Sequence, residues 1–275
     1  MTGDDSVSVR KVKSAVRTVE LLEFLAARPD EPTRIREICA ALDMPRSSAH
    51  ALLRTLVGQG WVRSDDTGTQ YSIGMRALLV GTSYLDADPY LPMIAPFLED
   101  LRGQLDETFH LARLDGHDVV YLATRESRQY VRNHSKVGRR LPAYATALGK
   151  ALLAERHGAE LDSHVPDPLR PLTPRTLTDR AGLEAALDEV RVRGYATDDE
   201  ENTAGIKCFA VTLRYRHPAQ DAISASVPLS RLTPEREREI VEALRLVCDK
   251  VTRVVRRCQR RQVVRLSLPT RLEYR

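Results

Sequence analysis

Small residues gather where a helix starts in Leu141-Pro142-Ala143-Tyr144-Ala145-Thr146-Ala147-Leu148-Gly149-Lys150. The first amides of a helix have no partner inside it, so with no bulky side chains above them they can cradle an anion, and the Thr146 hydroxyl can add a bond. The same small residues also permit close packing, and spacing leaves the two readings even. Gly149-Lys150 is not a phosphate loop, because the GxxxxGK[ST] pattern is missing. Further on, Asp198-Asp199-Glu200-Glu201 could bind a metal or accept from a ligand hydroxyl, although four acids in a row usually mark a solvated turn. Cys208, flanked by Ile206, Phe209 and Val211, reads as a thiol inside a sheet, where thiols are ordinarily inert packing. Ser224 and Ser226 share one face of the strand AISAS, where a hydroxyl pair could line a pocket or fill a tight sheet.

Catalytic patterns are sparse. The seven histidines (50, 110, 117, 134, 157, 164 and 217) form no HExxH motif and no i,i+4 pair, so no metal site is expected. There is no GxSxG elbow, and Ser224 has no base nearby in sequence. Four cysteines lie far apart without a CxxC pair, which argues against both a disulfide framework and a zinc knuckle. No cofactor is expected. A small-molecule hydrolase using Cys208 or Ser224 is the alternative to a binding protein, and a ligand-binding module acting through protein partners alone is a third class.

Residues 1–13 read as a loose arm. Val16, Val19, Leu21, Leu22 and Leu25 then recur at helical spacing up to Arg28-Pro29. Thr33 is expected to cap a second short helix, RIREICAAL, before a turn at Asp43-Met44-Pro45. A third helix over 45–58 buries Ala49, Leu52, Leu53, Leu56 and Val57, while Arg46, Ser47, His50, Ala51 and Arg54 share the opposite side. WVRSDD and QYSIG fit two short strands around Asp66-Thr67-Gly68-Thr69. Helix, helix, turn, helix, hairpin is the winged helix-turn-helix order. Its third helix, with short and basic outward residues, suits a DNA major groove of roughly 12 Å width. The outward Arg46, Ser47, His50 and Arg54 are the side chains such a helix would present to DNA, with Arg34 at the start of the second helix and Thr69 at the hairpin tip as further expected contacts.

Residues 75–88 read as a linker helix ending before Pro89 and Pro92, and MIAPFLEDLRGQL opens a larger domain over 89–258. Strands are expected at Thr108–Leu114, DVVYLATR, QYVRNHS, GYATDD, IKCFAVTLR and DAISASVPL, with helices at ATALGKALLAE, AGLEAALDEVRVR and from Thr233 onward. ELDSHVPDPLRPLTPRTLT is irregular. Strands and helices without βαβ alternation give an α+β sensory-type domain behind the winged helix-turn-helix of residues 14–74.

The 275 residues suffice for two domains, and 42% hydrophobic with 29% charged residues excludes a wholly disordered chain. No run approaches the ~18 apolar residues that cross a bilayer, and the first twenty lack the apolar centre of a secretion signal, so a cytoplasmic protein without a membrane partner is expected. The net charge of +4 conceals a basic end: residues 250–275 hold nine Lys/Arg against one Asp/Glu, and 259–275 read as a basic tail.

Taken in order, SAVRTVELLEFLA, IREICAALDMPRSSAHALLRTLVGQGWV, LPAYATALGKALLA, GYATDDEENTAGIKCFAVTLR and AISASVPLSRLT resemble the isocitrate-lyase-regulator (IclR) family of bacterial transcription factors over residues 14–255. The resemblance implies a linker helix joining the winged helix-turn-helix to a GAF-like effector-binding domain, a homodimer or homotetramer on palindromic double-stranded DNA operators, and repression or activation of catabolic genes in response to a small carboxylic acid. It implies DNA contacts at Arg46, Ser47, Ser48, His50 and Arg54 of a recognition helix over 45–58, and effector contacts at Ala147, Leu148, Asp198, Cys208, Ser224 and Ser226, beside Thr146. Leu148 is bulkier than the residue family members have there, and the LPAY form resembles regulators of aromatic-acid breakdown, which adds an aromatic or ketoadipate-like acid to the options.

Overall fold

The computed structural model describes residues 12–28, 31–130, 132 and 135–266. The chain divides into two compact units, residues 1–87 and 88–275. Most of the expected arm over 1–13 lies outside the described residues.

In the first unit, helices α1 (Lys13–Ala26), α2 (Ile35–Ala41) and α3 (Arg46–Gly58) are followed by strands β2 (Val62–Ser64) and β3 (Gln70–Ile73), then by α4 (Met75–Asp86). A two-residue strand β1 (Thr33–Arg34) completes an antiparallel sheet in the order β1-β3-β2. Leu21 and Leu25 of α1, Ile38 of α2, Leu53 and Leu56 of α3, and Val62 and Tyr71 of the sheet form one apolar core. This is the winged helix-turn-helix with one correction. Thr33 does not cap α2; it is buried in β1 opposite Tyr71, and the Arg34 amide at the helix start donates instead to Glu37 Oε2 at 2.9 Å. A β-branched residue next to a strand partner goes into the ladder rather than the cap. At Gly74 a Cβ would meet the Gly60 carbonyl oxygen at 2.4 Å, and its amide donates to Trp61 O at 2.7 Å, so only glycine lets β3 leave the hairpin this closely.

The second unit opens with α5 (Leu91–Leu105), led in by a turn in which Asp88 Oδ1 accepts from the amides of Tyr90 and Leu91 at 2.8 and 3.0 Å. Strands β4 (Thr108–Asp115), β5 (Asp118–Arg125), β6 (Arg140–Pro142), β7 (Ala196–Asp199), β8 (Ile206–Thr212) and β9 (Asp221–Pro228) form one antiparallel sheet in the order β6-β5-β4-β9-β8-β7. Helices α6 (Ala147–Leu153), α7 (Gly158–Asp162) and α8 (Arg180–Arg193) lie between β6 and β7 in the chain, and α9 (Pro234–Leu266) closes it. All eight residues of β9 are buried, so both faces of the central sheet are covered.

The two faces differ in chemistry because side chains alternate along a strand. Phe109 and Leu111 of β4, Phe209 of β8, and Ile223 and Val227 of β9 point one way and are among the most buried residues of the unit. The opposite face, which carries Ala112, Ala210 and Ala222 against α6 and α8, is built from small and polar residues: His110, Cys208, Ser224 and Ser226. Large side chains therefore anchor the sheet from behind and leave a shallow polar floor under α6.

One expectation fails here. Among the described residues of 129–135 there is no strand; β5 pairs instead with β6, and Tyr121 exchanges backbone bonds with Gly138 and Arg139. The polar segment that follows β5 turns back to Asp106, which takes the Arg128 amide and the Gln129 side chain, each at 2.8 Å. α9 runs to Leu266, past the start of the basic tail expected from 259; VVRRCQRRQVVRL has no Gly or Pro to stop it before Pro269. Residues 267–275 of the expected basic tail lie outside the described residues.

Candidate functional site

On α3 the outward side chains Arg46, Ser47, His50 and Arg54 are exposed, Ser48 is half-buried, and Ala49, Leu53 and Leu56 are fixed in the core. The helix thus holds a rigid row of polar and basic groups toward solvent. Arg34 is exposed beside it in sequence order, ahead of α2. The hairpin tip is a closed hydrogen-bonded loop: Asp65 Oδ1 accepts from the Thr69 and Gln70 amides at 2.7 and 2.9 Å, and the Thr67 and Thr69 hydroxyls lie 2.8 Å apart. The Thr67 hydroxyl, then the Gln70 and Thr69 amides, hold the Asp65 carboxyl down at a pKa of about 2, so the tip carries a fixed anion. Thr69 is exposed, yet its amide and hydroxyl are used within this loop.

In the second unit Thr146, Asp198, Cys208 and Ser226 converge on one cavity of about 20 Å³, together with Tyr121, Arg139, Leu141, Asn202, Thr203 and Ile206. Ala147, Leu148 and Ser224 do not line it. Ala147 and Leu148 belong to the apolar cluster under α6, and Ser224 lies on the sheet floor opposite His110 and Ala210. A wider open groove of about 880 Å³ runs from Tyr195 along the start of α9 and holds none of the expected residues. The small cavity is the candidate site, since hydroxyl, carboxyl, thiol and guanidinium groups meet there.

Each lining group is placed by a specific local device. Thr146 caps α6, its Oγ1 accepting from the Gly149 amide at 3.0 Å. Gly149 itself packs on the preceding turn so closely that a Cβ would meet Ala143 O at 2.0 Å. Close packing is therefore one real use of the small residues in this segment. Asp198 pairs with Cys208 in the β7–β8 ladder, and Cys208 with Ser226 in the β8–β9 ladder, which sets the three side chains in one row. Cys208 Sγ is 3.3 Å from Ser226 Oγ.

The acidic run is not a solvated turn throughout. Asp198 and Glu201 are both buried. Glu200 adopts a left-handed φ of 64°, and the reversal it allows brings Glu201 inward to an ion pair with the buried Lys150 of α6. Asp198 Oδ1 accepts from the Glu201 and Asn202 amides at 2.7 and 3.2 Å. Burial, helped by the neighbouring Glu201 charge, nevertheless raises the Asp198 carboxyl to a pKa of about 7, while Lys150 and the two amides pull the other way. Burial also pushes the Cys208 thiol and the Tyr121 phenol well above their ordinary values, so both stay protonated.

Tyr121, Arg139 and the Lys150–Glu201 pair were not among the expected site residues. Alternation along DVVYLATR could have placed Tyr121 on the polar face. Nothing local announces the ion pair, whose members lie 51 residues apart. Among the described residues no group of three or more His, Cys, Asp and Glu side chains is placed to hold a metal ion, and no helix is long and apolar enough to cross a membrane.

Residues 14–66 match the family described as the IclR helix-turn-helix domain, and residues 82–253 match the bacterial transcriptional regulator IclR C-terminal family. The chain belongs to the IclR family. It is 32% identical to the transcriptional repressor IclR of Escherichia coli over 234 residues, covering 83% of this chain and 85% of that one. Among solved IclR structures it resembles the Thermotoga maritima protein (27% identity, TM-score 0.66, 89% and 99% of the two chains). It also resembles an IclR homologue from Microbacterium hydrocarbonoxydans complexed with 4-hydroxybenzoate (25% identity, TM-score 0.70, 87% and 97%). An IclR-family chain is a DNA-binding transcriptional regulator with an effector-binding C-terminal domain. The hydrolase alternative is not supported: these relatives are regulators, and the half-buried Cys208 thiol is held in its unreactive protonated form.

Proposed function

We propose that this chain is a cytoplasmic regulator of catabolic genes that binds a palindromic DNA operator as a homodimer or homotetramer and releases or tightens its grip when a small carboxylic acid enters the second unit. The convergence of Thr146, Asp198, Cys208 and Ser226 on one enclosed cavity carries the reading. The acid's carboxylate rests beside Thr146 at the start of α6, with Arg139 also on the cavity wall; Ala147 and Leu148 follow Thr146 in the helix without lining the cavity. Its remaining polar groups meet Asp198 and Ser226, with Ser224 farther along the same strand face. The Microbacterium relative's 4-hydroxybenzoate favours an aromatic acid, with a ketoadipate-like acid as the second option.

The organisation follows the same division: DNA recognition in 14–74, a linker helix over 75–88 and effector binding from 89 onward. Two-fold assembly is supported by α4, none of whose residues is buried although it carries Leu78, Leu79, Val80 and Tyr84. In a symmetric dimer two α3 helices read successive major grooves ~34 Å apart. Arg46 and Arg54 supply phosphate or guanine contacts, Ser47, Ser48 and His50 adjust register and base choice, and Arg34 and Thr69 meet the backbone on either side. The effector acts only through its different affinity for the two arrangements of the protein, with coupling of about 1–3 kcal/mol.

The test pairs operator binding with an acid screen. The purified chain should retard a palindromic fragment from upstream of its own coding region, and at least one small acid should both raise its melting temperature and shift that affinity. Binding to no such fragment at low salt would refute the DNA reading; acids that stabilise the protein without changing its DNA affinity would refute the coupling.

A further inference from the structure

His110 is fully buried in β4, and its Nε2 has no hydrogen-bond partner among the described residues. Leaving such a nitrogen unpaired is costly, so its retention in a packed sheet asks for a use. Its Nδ1 lies 3.1 Å from Thr124 Oγ1 on β5, which turns Nε2 away from that strand. The strand neighbour on the other side is Ser224 of β9. One face of the imidazole is stacked on Tyr121, with ring centroids 4.5 Å apart and planes 26° from parallel.

Tyr121 is a wall of the effector cavity, together with Arg139, Cys208 and Ser226. His110 therefore stands directly behind that wall, on the same polar strand face as Ser226, and the Arg139 charge reaches both the imidazole and the phenol. The cavity's 20 Å³ accommodates about one water, so entry of any organic acid must displace a wall. If the wall that gives way is the Tyr121 ring, the stacked imidazole is uncovered. Burial and the Arg139 charge keep that ring neutral, so it offers a hydrogen bond without demanding a counter-charge.

Resting on the acid-sensing reading above, we propose that His110 is a specificity-determining residue of the effector site, whose Nε2 pairs with a hydroxyl or carbonyl oxygen distal to the acid's carboxylate. The effector is then a hydroxy- or keto-acid rather than a plain carboxylic acid. A site built around a buried hydrogen-bonding nitrogen rejects a ligand that leaves it unpaired, whereas a merely hydrophobic pocket distinguishes such a pair poorly.

Two matched pairs of probes test this on the full chain by titration calorimetry: benzoate against 4-hydroxybenzoate, and pentanoate against 4-oxopentanoate. The wild-type chain should bind the oxygenated member of at least one pair about tenfold more tightly than its parent. His110→Phe should bring that ratio close to one, and His110→Gln, which keeps a nitrogen near the Nε2 position, should retain part of it. A preference that survives in His110→Phe overturns the proposal, and so does a wild-type chain that binds both members equally. Either result would assign Nε2 to a buried water. Binding of none of the four acids would remove the acid-sensing reading and this inference with it, so the two failures are distinguishable. If His110→Phe does not fold, the ¹⁵N resonance of the wild-type Nε2 decides, moving on addition of the preferred acid if the bond forms and staying in place if it does not.

Discussion

Cys208 and Ser226 are direct partners in the β8–β9 ladder, and their side-chain heavy atoms meet at 3.3 Å where both line the small cavity of the second unit. Either can donate, so the pair is a polar surface that can rearrange when a ligand oxygen arrives. Ser226→Leu places a branched side chain in a space of about 20 Å³. The expected outcome is loss of acid-induced thermal stabilisation with operator binding retained, at an overpacking cost of about 1–3 kcal/mol. A thermal-shift titration beside a gel-shift assay checks both halves; an intact acid response in Ser226→Leu would move the effector elsewhere.

Asp198 sets a pH dependence whose sign follows from its raised pKa. The folded chain holds a proton on this carboxyl up to about pH 7, whereas the unfolded chain releases it near 3.8. Stability from this group is thus fully present below about pH 4 and is lost as pH rises through about 7. Asn at this position keeps an oxygen to accept both amides that now donate to Oδ1, and removes the titration. Denaturant melts between pH 5 and 8 should show the wild-type chain losing stability relative to Asp198→Asn as pH rises. Parallel curves would place the proton on another group.

The same site shows which parts of a fold a sequence can announce. Apolar spacing over α3 and the hairpin around Gly68 are local patterns, and their placement follows from periods of 3.6 and 2. Ser226 and Cys208 were legible as strand residues with small polar side chains. Glu201 was not, because its burial depends on Glu200 taking a left-handed turn and on a lysine far away in the chain. QYVRNHS carries the alternation of a strand, yet β5 had a closer partner in residues 138–142, and a strand forms only where a ladder is available. His110 was read only as one of seven histidines, since a lone imidazole gains meaning from the cavity wall stacked on it.

Lys150 and Glu201 form a buried ion pair that ties α6 to the β7–β8 turn, directly behind Asp198. Removing one partner strands a charge in a poorly solvated place, which costs about 3–5 kcal/mol, whereas replacing both with apolar residues of similar size leaves nothing unpaired. Lys150→Met should therefore lower the urea midpoint markedly, and Lys150→Met combined with Glu201→Leu should recover most of the loss. Additive penalties in the double variant would show that the two side chains act independently.

Arg54 lies on the exposed side of α3, one turn beyond His50, while Leu53 beside it in sequence is locked in the core. Its backbone position is therefore fixed, and Arg54→Ala alters the outward surface without disturbing the fold. If the guanidinium meets a phosphate, affinity should fall by a similar factor on every sequence, and the slope of log affinity against log salt should shrink by about one. If it meets guanine, the loss should be about 1–3 kcal/mol on the operator alone, with discrimination relaxed at one base pair. Operator and scrambled fragments titrated at several salt concentrations separate these outcomes, and the melting temperature with and without acid should match the wild-type values throughout. Unchanged affinity on both fragments at every salt concentration would show that this face of α3 does not enter the groove.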